Sequence, residues 1–570
     1  MANTIPNPYT LVIAYDFGTT YSGAAYSFTD GKSDVYNIQN WQNKSFNYYQ
    51  KVPTLLLYER SNPTKLVTWG YEAEAVMRAP RANESYIALS KFKLHLDSKF
   101  KRSPLENGLT AVKAVADYLR ELHNYVLEDI KRRYTGTLDP FSIRYCVTVP
   151  AIYDDKAKHC MRAAALMAGI IQSNDRHDKL LLISEPEAAA LHCEKMFDYK
   201  VMNLGTTTDR LMICDAGGGT VDITVFEVDG PSQLREITKG IGSHCGSIFL
   251  DSRFNTLLNI KLGGQISCLN SVAKSFLMDQ FIEKIKPAFD GKDDMNGKYY
   301  YLHLPASINL DLIMNHEDLD GSALILHASE LKEKVFDPVI KDVLKLLERQ
   351  MNELSGKQLS YLLLVGGFGS SRYLYQCVQQ AFSNRVRHIL CPNLAEMAIV
   401  RGAVYFGLNP RSITSRISRR TYGINAGLPF EPGKDPLSTR VIRPDGTERC
   451  PTRFLAFVKK NDQLPLDYYV TKSMITYYGK YNEVYIFLYS TENDQVPRYY
   501  DEPGVSRLAT LSVPIPTLPN RKVGEQVTYH VRFYFGMTEI KVEADFGNGN
   551  SFQIQYHFDN DEYINDPMAI

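Results

Sequence analysis

Short, nearly continuous apolar runs alternate with amphipathic stretches from residue 11 to about residue 408. Residues 11–15, 145–149, 180–183, 211–214 and 361–365 are such runs. A segment apolar at almost every position predicts a strand covered on both faces. Residues 109–132, 154–169 and 329–354 instead repeat apolar positions at helical spacing, which predicts amphipathic helices. Asp154 and Asp155 open the second of these with N-terminal carboxylates, and Gly169 closes it. This alternation predicts an α/β domain over residues 1–408. After Pro410 strand-like runs dominate, at 453–458, 484–489, 529–535 and 540–544, punctuated by Pro, Gly and Asn. The expected organisation continues with an Arg- and Ser-rich linker at 409–420, an all-β module at 421–556 and a short acidic tail at 557–570.

Two of the apolar runs end in nearly the same acidic, glycine-rich turn. Asp16-Phe17-Gly18-Thr19-Thr20 follows the first run, and Asp215-Ala216-Gly217-Gly218-Gly219-Thr220 follows residues 211–214. A second strand-like run comes after each, at 21–28 and 221–228, so each turn predicts a hairpin. Glycine lets backbone amides approach a ligand with no Cβ in the way. Such amides form an anion-binding nest, and an aspartate beside it can hold hydrated Mg²⁺. Two facing nests would grip a polyphosphate from both sides. A third turn, Gly366-Gly367-Phe368-Gly369, follows the run 361–365, where backbone without side chains could lie along a flat ring.

Composition narrows the classes. The 570 residues are enough for two to four domains. Lys+Arg and Asp+Glu both number 64, so bulk charge would not hold a nucleic acid. Residues 1–10 lack the basic start and apolar core of a secretion signal, and no stretch reaches the ~20 apolar residues that span a bilayer. Nine cysteines carry no C-x-x-C pair, as in a cytosolic protein with reduced thiols. A cytoplasmic or nuclear protein is expected. His159 and His244 have no partners at ligand spacing, which argues against catalytic zinc.

Taken in order, these motifs resemble the 70-kilodalton heat-shock chaperones. Residues 16–22 look like that family's first phosphate loop, residues 215–222 like its second, and Leu364-Val365-Gly366-Gly367 like its adenosine motif. Val147-Thr148-Val149-Pro150, Glu185-Pro186-Glu187-Ala188 and Glu396-Met397-Ala398-Ile399 resemble an intervening strand and two connecting helices. The detail, including Arg420-Thr421-Tyr422-Gly423, is closest to the divergent, atypical branch. The resemblance implies a two-lobed actin-like ATPase domain with ATP or ADP and Mg²⁺ in a central cleft, followed by a β-sandwich. It implies that Asp16, Asp215, Asp222 and Glu185 hold Mg²⁺ through water, and that Asp215 or Glu185 orients the attacking water. Gly18, Thr19, Thr20, Tyr21, Gly217, Gly218, Gly219 and Thr220 would face the phosphates. A lysine should neutralise the transferring phosphoryl group, with Lys91 the candidate and Lys93 the alternative. Glu283, Lys286, Gly366, Gly367 and Glu396 would border the nucleoside. Pro287 replaces the arginine that stacks on adenine in typical members, which puts base affinity in question.

The same resemblance implies a weak ATPase that switches conformation to bind a protein client or partner, with an extended peptide on the sandwich and a co-chaperone as partner types. Two departures weaken the analogy. The sequence runs to residue 570, so the family's helical lid is expected to be missing or reduced, and residues 411–420 lack the apolar, acid-ended interdomain linker. A nucleotide-gated scaffold with little turnover is the first alternative, and a small-molecule kinase of the same fold is the second.

Overall fold

A computed structural model describes residues 8–30, 34–42, 50–79, 81–97, 104–134, 136–196, 209–292, 298–443, 446–519, 521–547, 549–554 and 556–558. The chain divides into two compact units, one of residues 1–234 and 240–412, the other of residues 235–239 and 413–570.

The first unit contains the same wiring twice. In one lobe the strand order is Tyr36–Asn37, Tyr21–Phe28, Leu11–Asp16, Ile143–Val149, Leu180–Ser184. Leu11–Asp16 pairs antiparallel with Tyr21–Phe28 and parallel with Ile143–Val149. In the other lobe Arg210–Ala216 pairs antiparallel with Val221–Gly230 and parallel with Leu359–Val365, beyond which lies Val386–Leu390. Every residue of Leu11–Asp16, Ile143–Val149 and Leu359–Val365 is buried. The unbroken apolar runs are therefore central strands covered on both faces.

Helices supply that cover. Ala111–Arg133 starts at Thr110, whose side chain accepts from the Lys113 amide, and Asp155–Met167 starts at Asp154, which accepts from the Ala157 amide at 2.9 Å. Both caps satisfy amides that the first helical turn leaves unpaired. Two further helices, Glu185–Met196 and Ala398–Leu408, pack against each other. Their contact depends on glycine, because a Cβ on Gly402 would stand 1.6 Å from the Ala188 carbonyl oxygen. On the same helix, a Cβ on Gly407 would stand 2.4 Å from Val12 and 2.7 Å from the Cys146 sulfur.

The predicted helix over 329–354 is interrupted. It runs as Ala328–Leu331, a π-helical turn Lys332–Phe336, then Asp337–Asn352. Pro338 lies just inside the last segment. Its missing N–H and its ring break the regular ladder, and the wider turn before it absorbs the change. Pro287 repeats the device, with a π-helical turn at Phe281–Ile285 immediately before Lys286–Ala288.

The second unit is a sandwich of two antiparallel sheets. One has the order Val441–Ile442, Glu448–Val458, Thr421–Pro429, Glu483–Thr491, Val505–Pro514, Tyr556–Phe558, and the other Tyr469–Tyr477, Gln526–Tyr534, Lys541–Asp545, Ser551–Gln553. Val458, Leu511, Val531, Phe533 and Val542 form part of its core. The expected linker differs from what forms. Ile413–Ile417 is a strand paired with Gln463–Pro465, and Arg416 donates to the Gly536 carbonyl at 2.8 Å. Its two apolar residues, Ile413 and Ile417, are the ends of this strand, and Ser415, Arg416 and Ile417 sit in the ladder rather than in a free tether. Most of the expected tail, residues 559–570, lies outside the described residues.

Candidate functional site

The two hairpin turns face each other across the lobes. A Cβ on Gly218 would stand 2.4 Å from the Thr20 hydroxyl, and one on Gly219 2.7 Å from the Thr19 hydroxyl. Only glycine allows this approach. Each loop is tied down from behind. Thr54 donates its amide to the Thr20 carbonyl and its hydroxyl to the Gly18 carbonyl, and the Gly18 amide donates to Ser22. In the second loop, the Gly217 amide donates to the Thr220 carbonyl. The amides of Gly246, Ser247 and Ile248, at the start of helix Ile248–Lys261, donate to the carbonyls of Gly219, Gly217 and Gly218. With their carbonyls so engaged, the amides of Gly218, Gly219 and Thr220 donate to no protein acceptor among the described residues. Such amides suit an anion.

Behind the loops lie four buried carboxylates, Asp16, Glu185, Asp215 and Asp222. Asp215 and Asp222 are directly opposed across their hairpin, which puts both side chains on one face. The Asp222 carboxylate accepts the Ile152 amide at 3.1 Å. Two lysines serve the cluster. Lys93 donates to Glu185 at 2.6 Å and Lys51 to Asp16 at 2.5 Å, all four side chains being buried. The Thr148 hydroxyl donates to the other Asp16 oxygen at 3.1 Å, and the Tyr153 hydroxyl donates to the Lys93 carbonyl. Lys91 is half-buried and left-handed, at φ 60°, just before the 3₁₀ turn Phe92–Leu96. Of the two candidate lysines, Lys93 reaches the carboxylates through Glu185.

The negative charge is under-compensated. Burial pushes the Glu185 carboxyl up to about 7, Lys93 opposes the rise, and Asp222 and Asp16 add to it. Burial also raises Asp215 well above the carboxylate range, helped by Glu185, Asp222 and Asp16 and opposed by Lys51. One Asp215 oxygen is buried with no hydrogen-bond partner. A carboxylate so placed calls for a cation, and the donor set, all carboxylate oxygen, fits a hard ion such as Mg²⁺. No three His, Cys, Asp or Glu side chains among the described residues lie close enough to hold a metal directly.

The third turn meets the second. Gly366 has φ +83°, and a Cβ there would stand 2.5 Å from the Ala216 carbonyl and 2.6 Å from Asp215. The four-residue turn Gly366–Gly369 packs beside Ala395–Met397, which carries half-buried Glu396. Gly367 is exposed, and Phe368 is a buried core ring. The remaining nucleoside candidates are engaged elsewhere. Lys286 is paired with Asp251 at 2.6 Å, and the more than half-exposed Glu283 lies 3.9 Å from Arg78. Beyond Pro287, Phe289 stacks on Phe336 at 3.9 Å with the edge of Tyr373 against it.

Sequence reasoning missed Lys51, Thr148 and Tyr153. Thr148 had a signal, as the polar residue of an otherwise apolar run. Lys51 had none, because nothing in its spacing from Asp16 links the two.

Residues 205–392 match a family model described as a domain of unknown function, DUF8340. The chain is 27% identical to "Heat shock 70 kDa protein 12A" of Homo sapiens over 96% of its own length and 91% of that protein's. It is 25% identical to "Heat shock 70 kDa protein 12B" of Homo sapiens over 94% of its length and 89% of that protein's. "Chaperone protein DnaK" of Thermosipho melanesiensis is 20% identical over 70% of the chain and 59% of that protein. Along almost its whole length, the chain resembles the atypical, twelve-type branch of the 70-kDa heat-shock proteins, with an actin-like ATPase fold followed by a β-sandwich.

Proposed function

We propose that this chain binds a magnesium nucleotide between the two glycine loops and hydrolyses ATP slowly, using the change of state to bind a protein client or partner. The observation that carries this is the opposition of Gly218 and Gly219 to Thr20 and Thr19, with four buried carboxylates behind them. Amides from both loops would hold the β- and γ-phosphates. Asp16, Asp215, Asp222 and Glu185 would hold Mg²⁺ through water, and the ion would supply charge neutralisation at the phosphates. Lys93 would neutralise the γ-phosphoryl oxygens. Water attacks the γ-phosphorus, the bond to the β–γ bridging oxygen breaks to leave ADP, and Asp215 or Glu185 accepts the proton lost by water. Thr220 orients the phosphate through its hydroxyl. Gly366, Gly367 and Glu396 would border the nucleoside. Cytoplasm is the compartment this function suits, and the sandwich is the surface for the client.

A nucleotide-gated scaffold with little turnover is favoured by one observation. Lys286 is bound to Asp251 and Glu283 lies beside Arg78, so the nucleoside end depends on fewer side chains. Calorimetric titration with Mg·ATP, followed by measurement of phosphate release, separates these outcomes. Binding that Asp215→Ala weakens by about tenfold or more supports the site. Binding without phosphate release supports the scaffold. No binding at millimolar ATP sinks the nucleotide function.

A further inference from the structure

Lys51 occupies an unusual place. Its ammonium lies 2.5 Å from Asp16, and both side chains are almost wholly buried. The stem packs against the backbone at Gly23, where a Cβ would stand 3.2 Å from the Lys51 Cγ. The Tyr71 hydroxyl donates to the Lys51 carbonyl at 2.9 Å, and the next two residues pair with Tyr21 and Ser22 at the foot of the first loop. The side chain is therefore aimed from a fixed backbone at the strand-end carboxylate. Asp16 is thus satisfied on one oxygen by Lys51 and on the other by Thr148. By contrast, one buried Asp215 oxygen has no hydrogen-bond partner.

We infer that Lys51 is a resident cation of the phosphate clamp, bridging Asp16 to the nucleotide phosphates and giving the site a metal-independent mode of nucleotide binding. An ammonium has three donors. One is directed at Asp16, and another can meet a phosphate oxygen presented by the Gly18–Thr20 loop. A fixed positive charge supplies part of what a divalent ion supplies at that carboxylate, and a charge-assisted hydrogen bond in a buried site is among the stronger polar contacts. Mg²⁺ then adds chiefly on the Asp215 side. This inference rests on the nucleotide function proposed above and concerns which charge holds the phosphates.

The test is calorimetric titration of the full chain with ADP, once in Mg²⁺ and once in excess EDTA, for the wild type, Lys51→Met and Lys51→Arg. In the wild type, removing Mg²⁺ should change Kd by less than about tenfold. In Lys51→Met it should change Kd by roughly a hundredfold, the scale of one lost hydrogen bond to a charged group. Lys51→Arg, which keeps the charge, should resemble the wild type in EDTA. Thermal melting followed by circular dichroism confirms that the variants fold. Should Lys51→Met not fold, the wild-type and Lys51→Arg titrations decide. Wild-type binding that vanishes in EDTA overturns the inference and leaves the nucleotide function standing. Equal EDTA binding by wild type and Lys51→Met overturns the role of Lys51 alone. Absence of binding in both buffers overturns the nucleotide function itself.

Discussion

At the residue scale, the cleft combines charges that would be unfavourable apart. Glu185 and Lys93 are buried together at 2.6 Å, and removing one partner leaves the other as a buried, unpaired charge. Lys93→Ala should abolish phosphate release and lower stability by roughly 3 kcal/mol, and Lys91→Ala, at a half-buried position, should cost less. Urea denaturation and a phosphate-release assay check both. Equal losses in the two variants would refute the assignment. The distinction was not legible in Ser90-Lys91-Phe92-Lys93-Leu94. Two lysines two apart in a strand-like or helical reading are both plausible. The fold decides that Lys93 is buried against Glu185.

At the element scale, the two helices Glu185–Met196 and Ala398–Leu408 are held by contact at Gly402. Gly402→Ala must push a Cβ into the Ala188 carbonyl, a backbone atom that cannot rotate away. Overpacking of this kind costs about 1–3 kcal/mol, and a urea midpoint lowered accordingly is expected. An unchanged midpoint would mean that the helices slide apart freely. His192 sits in the same interface, close to parallel with Tyr405, and both its ring nitrogens are buried without hydrogen-bond partners. Burial, with help from Arg401, pushes its pKa down to about 4. The folded state therefore binds fewer protons than the unfolded chain between about pH 6.5 and pH 4, so this group's stabilisation is present above 6.5 and lost as pH falls through 4. His192→Leu should match the wild type near neutral pH and exceed it by about 2 kcal/mol at about pH 5, measured by denaturant titration at each pH. A difference independent of pH would exclude the buried neutral imidazole.

At the scale of the whole molecule, the two units carry different acid sensitivities. In the sandwich, Asp435 is enclosed by Arg498 at 2.8 Å, Arg453 at 3.3 Å and the Tyr499 hydroxyl. Burial would raise its pKa, but the Glu431 amide, Tyr499, Arg498 and Arg453 hold it at about 2. Glu431, bound first by Lys434 and then by Arg453, is also held at about 2. A carboxylate depressed in the folded state stabilises it above the ordinary carboxylate range, and that stabilisation is lost as pH falls through about 2. Acid should therefore loosen the sandwich between about pH 4 and pH 2. Asp435→Asn should remove much of that dependence while leaving the first unit's profile alone. Hydrogen exchange read peptide by peptide across the pH range checks both halves of this expectation. No helix among the described residues is long and apolar enough to cross a membrane.

The sequence by itself determined the central strands, the two hairpins and their order. Unbroken apolar runs must be central strands, because no other arrangement removes both faces from water. The twin turns at Asp16 and Asp215 must be hairpins, because the glycines and the second runs leave no alternative of similar cost. Pro338 was visible as well, yet its effect on the helix around it became clear only when the widened turn at Lys332–Phe336 was seen. Tertiary structure alone decided the pairings between distant charges: Lys51 with Asp16, Lys93 with Glu185, Lys286 with Asp251. It also moved residues 413–417 from an expected tether into a strand. The physical reason is common to these cases. Periodicity reports which faces a segment must hide, which is a local demand of water on the chain. Which ammonium meets which carboxylate depends on how separate segments pack, and no local pattern encodes that choice.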